Sequence, residues 1–281
     1  MNDAHPDDGD AWSLVDFGVG IEITDLVADA LWARGVVAIE EREANDTFIT
    51  LRTSMGDDPT QLITEIASLF PHVSSTVVSI PRSIADTWRQ FATPTFVTDS
   101  IAIVPAWISP PPSAEALFIE PLDTFGLGNH PTTVLALRLA LRHVEPNSRI
   151  FDLGSGSGVL AVGLAKFRMC DVTAFDIAES AHEALKVNAR LNDVRTVTWS
   201  QGLTGTDFDC VVANILAPVL IAESPSMMQA VARHGLIILS GMRDDQVDGV
   251  VDHFTDMSVI DRDTIDGWTA VVLQRTLPSD T

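Results

Sequence analysis

Cysteine and lysine are the scarce residues of this chain. Cys170 and Cys210 are the only two cysteines in 281 residues, and both lie in apolar, strand-like surroundings. Such thiols read as buried side chains, so neither a disulfide framework nor a metal pair is expected. No apolar run reaches the roughly 18 residues of a membrane helix. The longest candidate, residues 211–222, is interrupted by Asn214 and Pro218. The first residues carry Asp3, Asp7, Asp8 and Asp10, the reverse of a signal peptide's basic start, so a secretory leader is not expected. These absences predict a cytoplasmic protein away from the membrane. No H-E-x-x-H, paired C-x-x-C, G-x-S-x-G or Walker sequence occurs, which removes metalloprotease, zinc-site, hydrolase and P-loop chemistry.

Positive charge is short as well. Against 39 Asp and Glu there are 17 Lys and Arg, a formal net charge of −22. A surface this acidic repels a phosphate backbone, so direct nucleic-acid binding is not expected. It would attract a basic protein partner and speed the encounter; solubility or a salt-rich source explains the same charge. Of the basic residues only Lys166 and Lys186 are lysines, through genome composition or because the protein modifies lysines. Apolar residues make up 46% of the chain, enough for one large domain or two smaller ones.

Residues 1–11 read as a disordered acidic tail. Residues 12–81 read as strand, helix, strand, strand, helix, strand. Thr24 caps a helix with Leu26, Val27, Ala30 and Leu31 at helical spacing and Gly35 ending it; 36–40 and 47–52 are strand-like. A second helix over 59–70 carries Leu62, Ile63, Ile66 and Leu69 on one face, and 75–80 closes the unit. That order predicts a small ferredoxin-like α+β domain. Residues 82–118 read as a linker, with a short helix over 84–91, a strand over 100–104 and a stiff Ser109-Pro110-Pro111-Pro112 break. From 119 to 277 strands and helices alternate, the mark of an α/β domain with a mostly parallel sheet covered on both faces. The strands are expected at 150–152, 171–176, 197–199, 208–213 and 235–241. Helices are expected at 132–143, from the glycine turn to 167, and at 178–191. A late antiparallel edge hairpin is expected from 257–260 and 268–274.

Four stretches carry chemistry. The first is IFDLGSGSGV at residues 150–159, a strand, a glycine-rich turn and the start of a helix. Gly154, Gly156 and Gly158 permit unusual dihedrals and close approach of a ligand to bare backbone at a helix N-terminus. The spacing is G-x-G-x-G with Asp152 at its start, which points to S-adenosylmethionine (AdoMet) more than to a dinucleotide. The second is Asp176, 24 residues after Asp152, near the interval at which nucleotide-binding folds place a carboxylate on a ribose diol; an Asp there also caps the helix that follows. The third is Asn214, at the end of the apolar strand FDCVVAN, where open α/β sheets bind ligands. Its side-chain oxygen is suited to accept a hydrogen from a neutral amine; capping the next helix is the other reading. The fourth is FGLGNHPTT at residues 125–133, whose small residues before a helix suit a loop that folds over a ligand. His130 within it has no partner at metal-ligand spacing, and a structural or lid role is expected.

Together these stretches resemble the PrmA family, bacterial methyltransferases that modify lysines and the terminal amine of a large-subunit ribosomal protein. The family's F-G-T-G-x-H-x-T-T loop corresponds to residues 125–133, its D-L-G-x-G-S-G turn to residues 152–158, and its N-I-L strand end to Asn214-Ile215-Leu216. Residues 86–107 are similar to the family's Trp-containing linker, and Gly267-Trp268 fits the start of its last strand. Two departures stand out: Leu127 replaces the loop's Thr, and Leu122-Asp123-Thr124 replaces Gly-Met-Ala.

The resemblance implies a class I (Rossmann-like) AdoMet-dependent methyltransferase domain behind a substrate-recognising N-terminal domain. It implies that Asp152, Gly154, Gly156 and Gly158 bind the cofactor, that Asp176 holds its ribose, and that Thr132 or Thr133 closes the loop on it. Asn214 would touch the cofactor site and orient the target amine as the catalytic residue. A basic ribosomal protein is the implied partner, and a monomer the expected state. Lysine methylation of another protein, such as an electron-transfer flavoprotein subunit, and a non-enzymatic AdoMet-binding module remain as alternatives.

Overall fold

The structure is a computed structural model that describes residues 11–32, 34, 36, 39–42, 47–54, 59–81, 89, 92–122, 124 and 127–275. The chain divides into two compact units, residues 1–92 and 93–281. Of the acidic tail expected over 1–11, Ala11 begins the first strand; the rest of it, Gly35 and nearly all of the helix expected over 84–91 lie outside the described residues.

In the first unit the elements are β1 (Ala11–Gly20), α1 (Thr24–Trp32), β2 (Ile39–Arg42), β3 (Phe48–Ser54), α2 (Thr60–Leu69) and β4 (Ser74–Pro81). They build an antiparallel sheet in the order β2-β3-β1-β4. Alternation decides the faces: Val15, Phe17 and Val19 of β1 point into a core with Leu51 of β3, Val27 and Leu31 of α1, and Leu62 and Ile66 of α2. Between them, on the opposite face, Asp16 pairs in register with Arg52, whose guanidinium donates to both carboxylate oxygens at 2.6 Å. That fork holds the Asp16 carboxyl below its usual range.

The second unit opens with β5 (Thr95–Thr98), β6 (Ile101–Pro105) and β7 (Glu115–Ile119), a small sheet in the order β5-β6-β7. Residues 93–118 are therefore part of the second unit and not a linker. Val97, Ile103, Leu117 and Ile119 lie in the same core as the larger domain. The strand expected over 100–104 is β6; β5 and β7 are too short for alternation to separate them from loop, and packing identifies them.

The remaining elements are α3 (Pro131–His143), β8 (Arg149–Leu153), α4 (Val159–Arg168), β9 (Asp171–Phe175), α5 (Glu179–Leu191) and β10 (Val197–Trp199). They continue as β11 (Phe208–Asn214), α6 (Ala217–Ala230), β12 (Val231–Arg243), α7 (Val247–Val251), β13 (Met257–Ile265) and β14 (Trp268–Arg275). They form a mixed seven-stranded sheet in the order β10-β9-β8-β11-β12-β14-β13. The first five of these are parallel, and β14 runs against both neighbours. The late hairpin therefore forms with β14 inside the sheet and β13 at its edge.

Both faces are covered, so the strands read as near-continuous apolar runs, interrupted by Asp152 in β8 and Thr173 in β9. Ile150, Val172 and Val212 meet α3, α4 and α5 on one face, while Phe151, Val211 and Leu239 meet α6 and α7 on the other. Helix α6 contains Pro225, whose missing N–H would leave the Ile221 carbonyl without its helical partner. The Ser224 hydroxyl donates to that carbonyl at 2.9 Å and repairs the break. The chain runs β8, β9, β10 to one side and then returns to place β11 on the other side of β8. That reversal opens a crevice at the C-terminal ends of β8 and β11.

Phe151 is 0% exposed and meets Phe208 edge-on at 5.3 Å. Phe151→Ala is expected to cost about 3–5 kcal/mol, read as a lower urea midpoint with an unchanged m-value.

Candidate active site

The crevice is lined by four chain segments, and each is held by a short list of contacts. After β8 the turn Gly154-Ser155-Gly156-Ser157-Gly158 has all three glycines at positive φ, 77°, 52° and 80°, a region that L side chains avoid. The amides of Gly154 and Ser155 both donate to the Phe175 carbonyl, at 2.8 and 3.0 Å. The turn is thereby folded back on the end of β9. The bare flanks of two of these glycines are already used by the protein. A Cβ on Gly154 would strike the Ile215 side chain, and one on Gly158 would strike Leu185.

Asp176 follows β9 by one residue and closes the other side of the turn. Its Oδ2 accepts from the Gly156 amide at 2.8 Å and its Oδ1 from the Ala178 amide at 2.9 Å. Helix α5 starts with Ala178 at its N-cap and has no side-chain cap bond, so Asp176 belongs to the turn and not to a helix cap. Two oxygens with four acceptor positions retain capacity for a diol. Ile177 beside it is 86% exposed, an apolar side chain held at the rim of the crevice.

Asp152 is 0% exposed. Its Oδ2 accepts from the Ala161 amide at 3.0 Å, while Oδ1 is buried without a hydrogen-bond partner, as is Ser155 Oγ. Burial pushes its carboxyl up to about 7, and the nearby Asp176 charge acts in the same direction. Two carboxylates and two orphaned polar atoms around one glycine turn suit a ligand that brings positive charge and N–H donors. A pyrophosphate would be repelled there.

Asn214 ends β11 and donates from Nδ2 to Thr133 Oγ1 at 3.2 Å. The helix after it has Leu216 at its N-cap and no side-chain cap bond, which rules out the capping role. That bond orients the amide and leaves Oδ1 as an acceptor and the second Nδ2 hydrogen as a donor. Thr132 and Thr133 are buried at the first turn of α3. Thr132 Oγ1 meets His130 Nδ1 at 2.8 Å, and the same nitrogen accepts from the Thr132 amide at 3.3 Å. His130 is thus the N-cap of α3, its ring edge-on to Trp268 at 4.9 Å, with desolvation holding its pKa below the usual value. Phe125 and Gly126 of the loop lie outside the described residues.

Ser240 and Gly241 carry site geometry that the sequence did not mark. Ser240 pairs in register with Asn214, and its hydroxyl donates to the Thr132 carbonyl at 2.8 Å. Gly241 has φ 91°, and a Cβ there would strike the Ile215 carbonyl. The one signal was a small-residue pair at the end of a β-branched strand, which does not distinguish a site from a strand end.

A family model described as Ribosomal protein L11 methyltransferase (PrmA) matches residues 11–276. The chain belongs to this family. Among curated relatives, the ribosomal protein L11 methyltransferase of Listeria welshimeri is 36% identical over 201 residues, 68% of this chain and 64% of that protein. The one from Symbiobacterium thermophilum is 33% identical over 199 residues, covering 68% and 65%. The match thus spans a little under two thirds of those relatives' length. Among solved structures, ribosomal protein L11 methylase from Lactobacillus delbrueckii subsp. bulgaricus is 27% identical with a TM-score of 0.61, covering 66% of this chain and all of that one. The loop, turn and strand-end motifs that resemble PrmA in sequence thus fall on one crevice: Thr133 touches Asn214, and Ile215 fills the flank of Gly154.

An acid with a raised folded pKa favours folding while protonated. The contribution of Asp152 is intact below about pH 4 and is lost as pH rises towards 7. Asp152→Asn, which stays neutral, is expected to flatten that loss. Between pH 5.5 and 8.0 its unfolding free energy should gain about 2 kcal/mol on the wild type, measured by urea unfolding at both pH values.

Proposed function

We propose that this protein is an AdoMet-dependent protein N-methyltransferase. Its substrates are the lysine side-chain amines, and possible N-terminal amine, of a large-subunit ribosomal protein, with the L11 protein named for its relatives as the first to test. The observation that carries this reading is Asn214: it leaves the sheet at the crevice with one amide hydrogen on Thr133, Oδ1 as its acceptor, one residue before the Ile215 side chain that fills the flank of Gly154. AdoMet, when bound, supplies a methyl group on a positively charged sulfur. The residues that would hold it are Asp152, the turn of Gly154, Gly156 and Gly158, Asp176, and the start of α3 with Thr132 and Thr133. Ile177 offers apolar surface for the adenine. Asp152 and Asp176 complement the cofactor's positive charge.

Asn214 Oδ1 accepts a hydrogen of the target amine, which fixes the direction of the nitrogen lone pair. The positive charge that AdoMet would bring beside the amine favours the neutral amine by lowering its pKa. Transfer to a neutral nitrogen requires positioning and exclusion of water more than a strong base. The excess of acidic residues favours a basic protein over a nucleic acid as the partner. Family membership favours the ribosomal substrate over a flavoprotein subunit and over a role without catalysis. The sheet order β2-β3-β1-β4, with helices after β1 and β3, supports reading residues 12–81 as a ferredoxin-like domain, and we assign it to recognition of the substrate protein.

The test is intact-mass spectrometry of unmethylated ribosomal protein L11 after incubation with this protein and AdoMet. Mass gains in methyl steps are expected with the wild type. With Asn214→Ala, turnover should fall at least about tenfold, roughly 1.4 kcal/mol of barrier, with AdoMet affinity retained by calorimetry. A full rate in that variant removes Asn214 from the mechanism. No mass gain with AdoMet bound moves the substrate to another protein.

A further inference from the structure

Two asparagines on α5 and its end do the same work for β7. That strand ends its small sheet, so its outer edge has no strand partner. Asn192 Oδ1 accepts from the Phe118 amide at 3.0 Å, and its Nδ2 donates to the Phe118 carbonyl at 2.7 Å. One helical turn earlier, Asn188 Oδ1 accepts from the Glu120 amide at 2.8 Å, and its Nδ2 donates to the Glu120 carbonyl at 2.9 Å. Lys166 continues the row by donating from Nζ to the Ala116 carbonyl at 2.6 Å. Side chains at this spacing replace the missing strand and cap an edge.

The two asparagines differ in where the second hydrogen of Nδ2 goes. For Asn192 it returns to its own helix, at the Asn188 carbonyl, 2.9 Å away. For Asn188 it goes to the Ser157 carbonyl at 2.8 Å, inside the glycine turn. Asn188 is 0% exposed, so these bonds do not compete with water. Its one amide therefore joins the glycine turn to Glu120, beyond which the chain runs to His130, Thr132 and Thr133. A turn built on three positive-φ glycines has little intrinsic stiffness. Its shape depends on its anchors: the Phe175 carbonyl and Asp176 on one side, and Asn188 on the other.

We infer that Asn188 is a positioning residue for cofactor binding: it sets the glycine turn against the end of β7, whereas Asn192 only supports the strand. This rests on the reading of the glycine turn as the AdoMet site. Asn192 provides a matched control, since its loss removes an equivalent clamp on β7 without touching the turn.

The experiment is calorimetric titration of AdoMet into the wild type, Asn188→Ala and Asn192→Ala, with Tm measured for each. Both variants should lose thermal stability. Asn188→Ala should bind AdoMet at least about tenfold more weakly and Asn192→Ala within about twofold of the wild type. Equal weakening in both variants, or none in Asn188→Ala, overturns the role of Asn188. Failure of the wild type to bind AdoMet overturns the cofactor reading itself. Should Asn188→Ala not fold, Asn188→Ser and Asn192→Ser are compared by the same ratio, since a short hydroxyl lacks the reach to span Ser157 and Glu120 together.

Discussion

Ile215 occupies the space that a side chain on either of two glycines would need. Its side chain lies where a Cβ of Gly154 would be, and its carbonyl lies where a Cβ of Gly241 would be. Both glycines have positive φ; Gly154 follows β8 and Gly241 lies near the end of β12. The segment leaving β11 is thereby wedged between the turn after β8 and the end of β12. Its neighbours are placed by that wedge. Asn214, one residue earlier, reaches Thr133, and Ser240, one residue before Gly241, holds the Thr132 carbonyl. Close packing leaves this junction few alternative arrangements, so the start of α3, the glycine turn and the strand end are positioned as one unit.

Electrostatics at the crevice point the same way as the packing. Asp152 is held out of water beside a turn whose other wall is Asp176, and its carboxyl is pushed up to about 7. An unpaired acid in that position costs stability in the ligand-free protein and becomes favourable when a cationic group arrives. Sites that bind charged ligands commonly carry such a cost. The chain as a whole repeats the sign, with a net charge of −22.

The elements that were legible in the sequence are those whose signal is local. The glycine turn, α3, α5 and the strands flanking them follow from short-range periodicity and from Gly and Pro punctuation, and they lie within a few residues of where they were expected. A helix after Asn214 was anticipated without bounds; the α6 that forms contains Pro225, which the Ser224 hydroxyl on the Ile221 carbonyl makes tolerable. Helix α7 is too short for periodicity to detect. Of the three strands in the expected linker only β6 was marked, at 100–104; β5 and β7 are short, and the edge of β7 is completed by Lys166, Asn188 and Asn192, far away in the chain.

The sequence by itself determined the α/β class of the second unit, the place of the glycine turn and the residue types suited to AdoMet and an amine. These depend on dihedral preference, hydrophobic period and functional-group chemistry, all of which are local. Tertiary structure alone decided which role each residue takes. It turned Asn214 from a possible helix cap into the partner of Thr133, and Asp176 into the clamp of Gly156. It also used the bareness of Gly154 and Gly158 for Ile215 and Leu185, and brought Ser240, Gly241 and Asn188 to a site that no motif assigns them. A side chain's partner is set by which strands lie next to each other at the point where the chain reverses, and a linear pattern does not carry that adjacency.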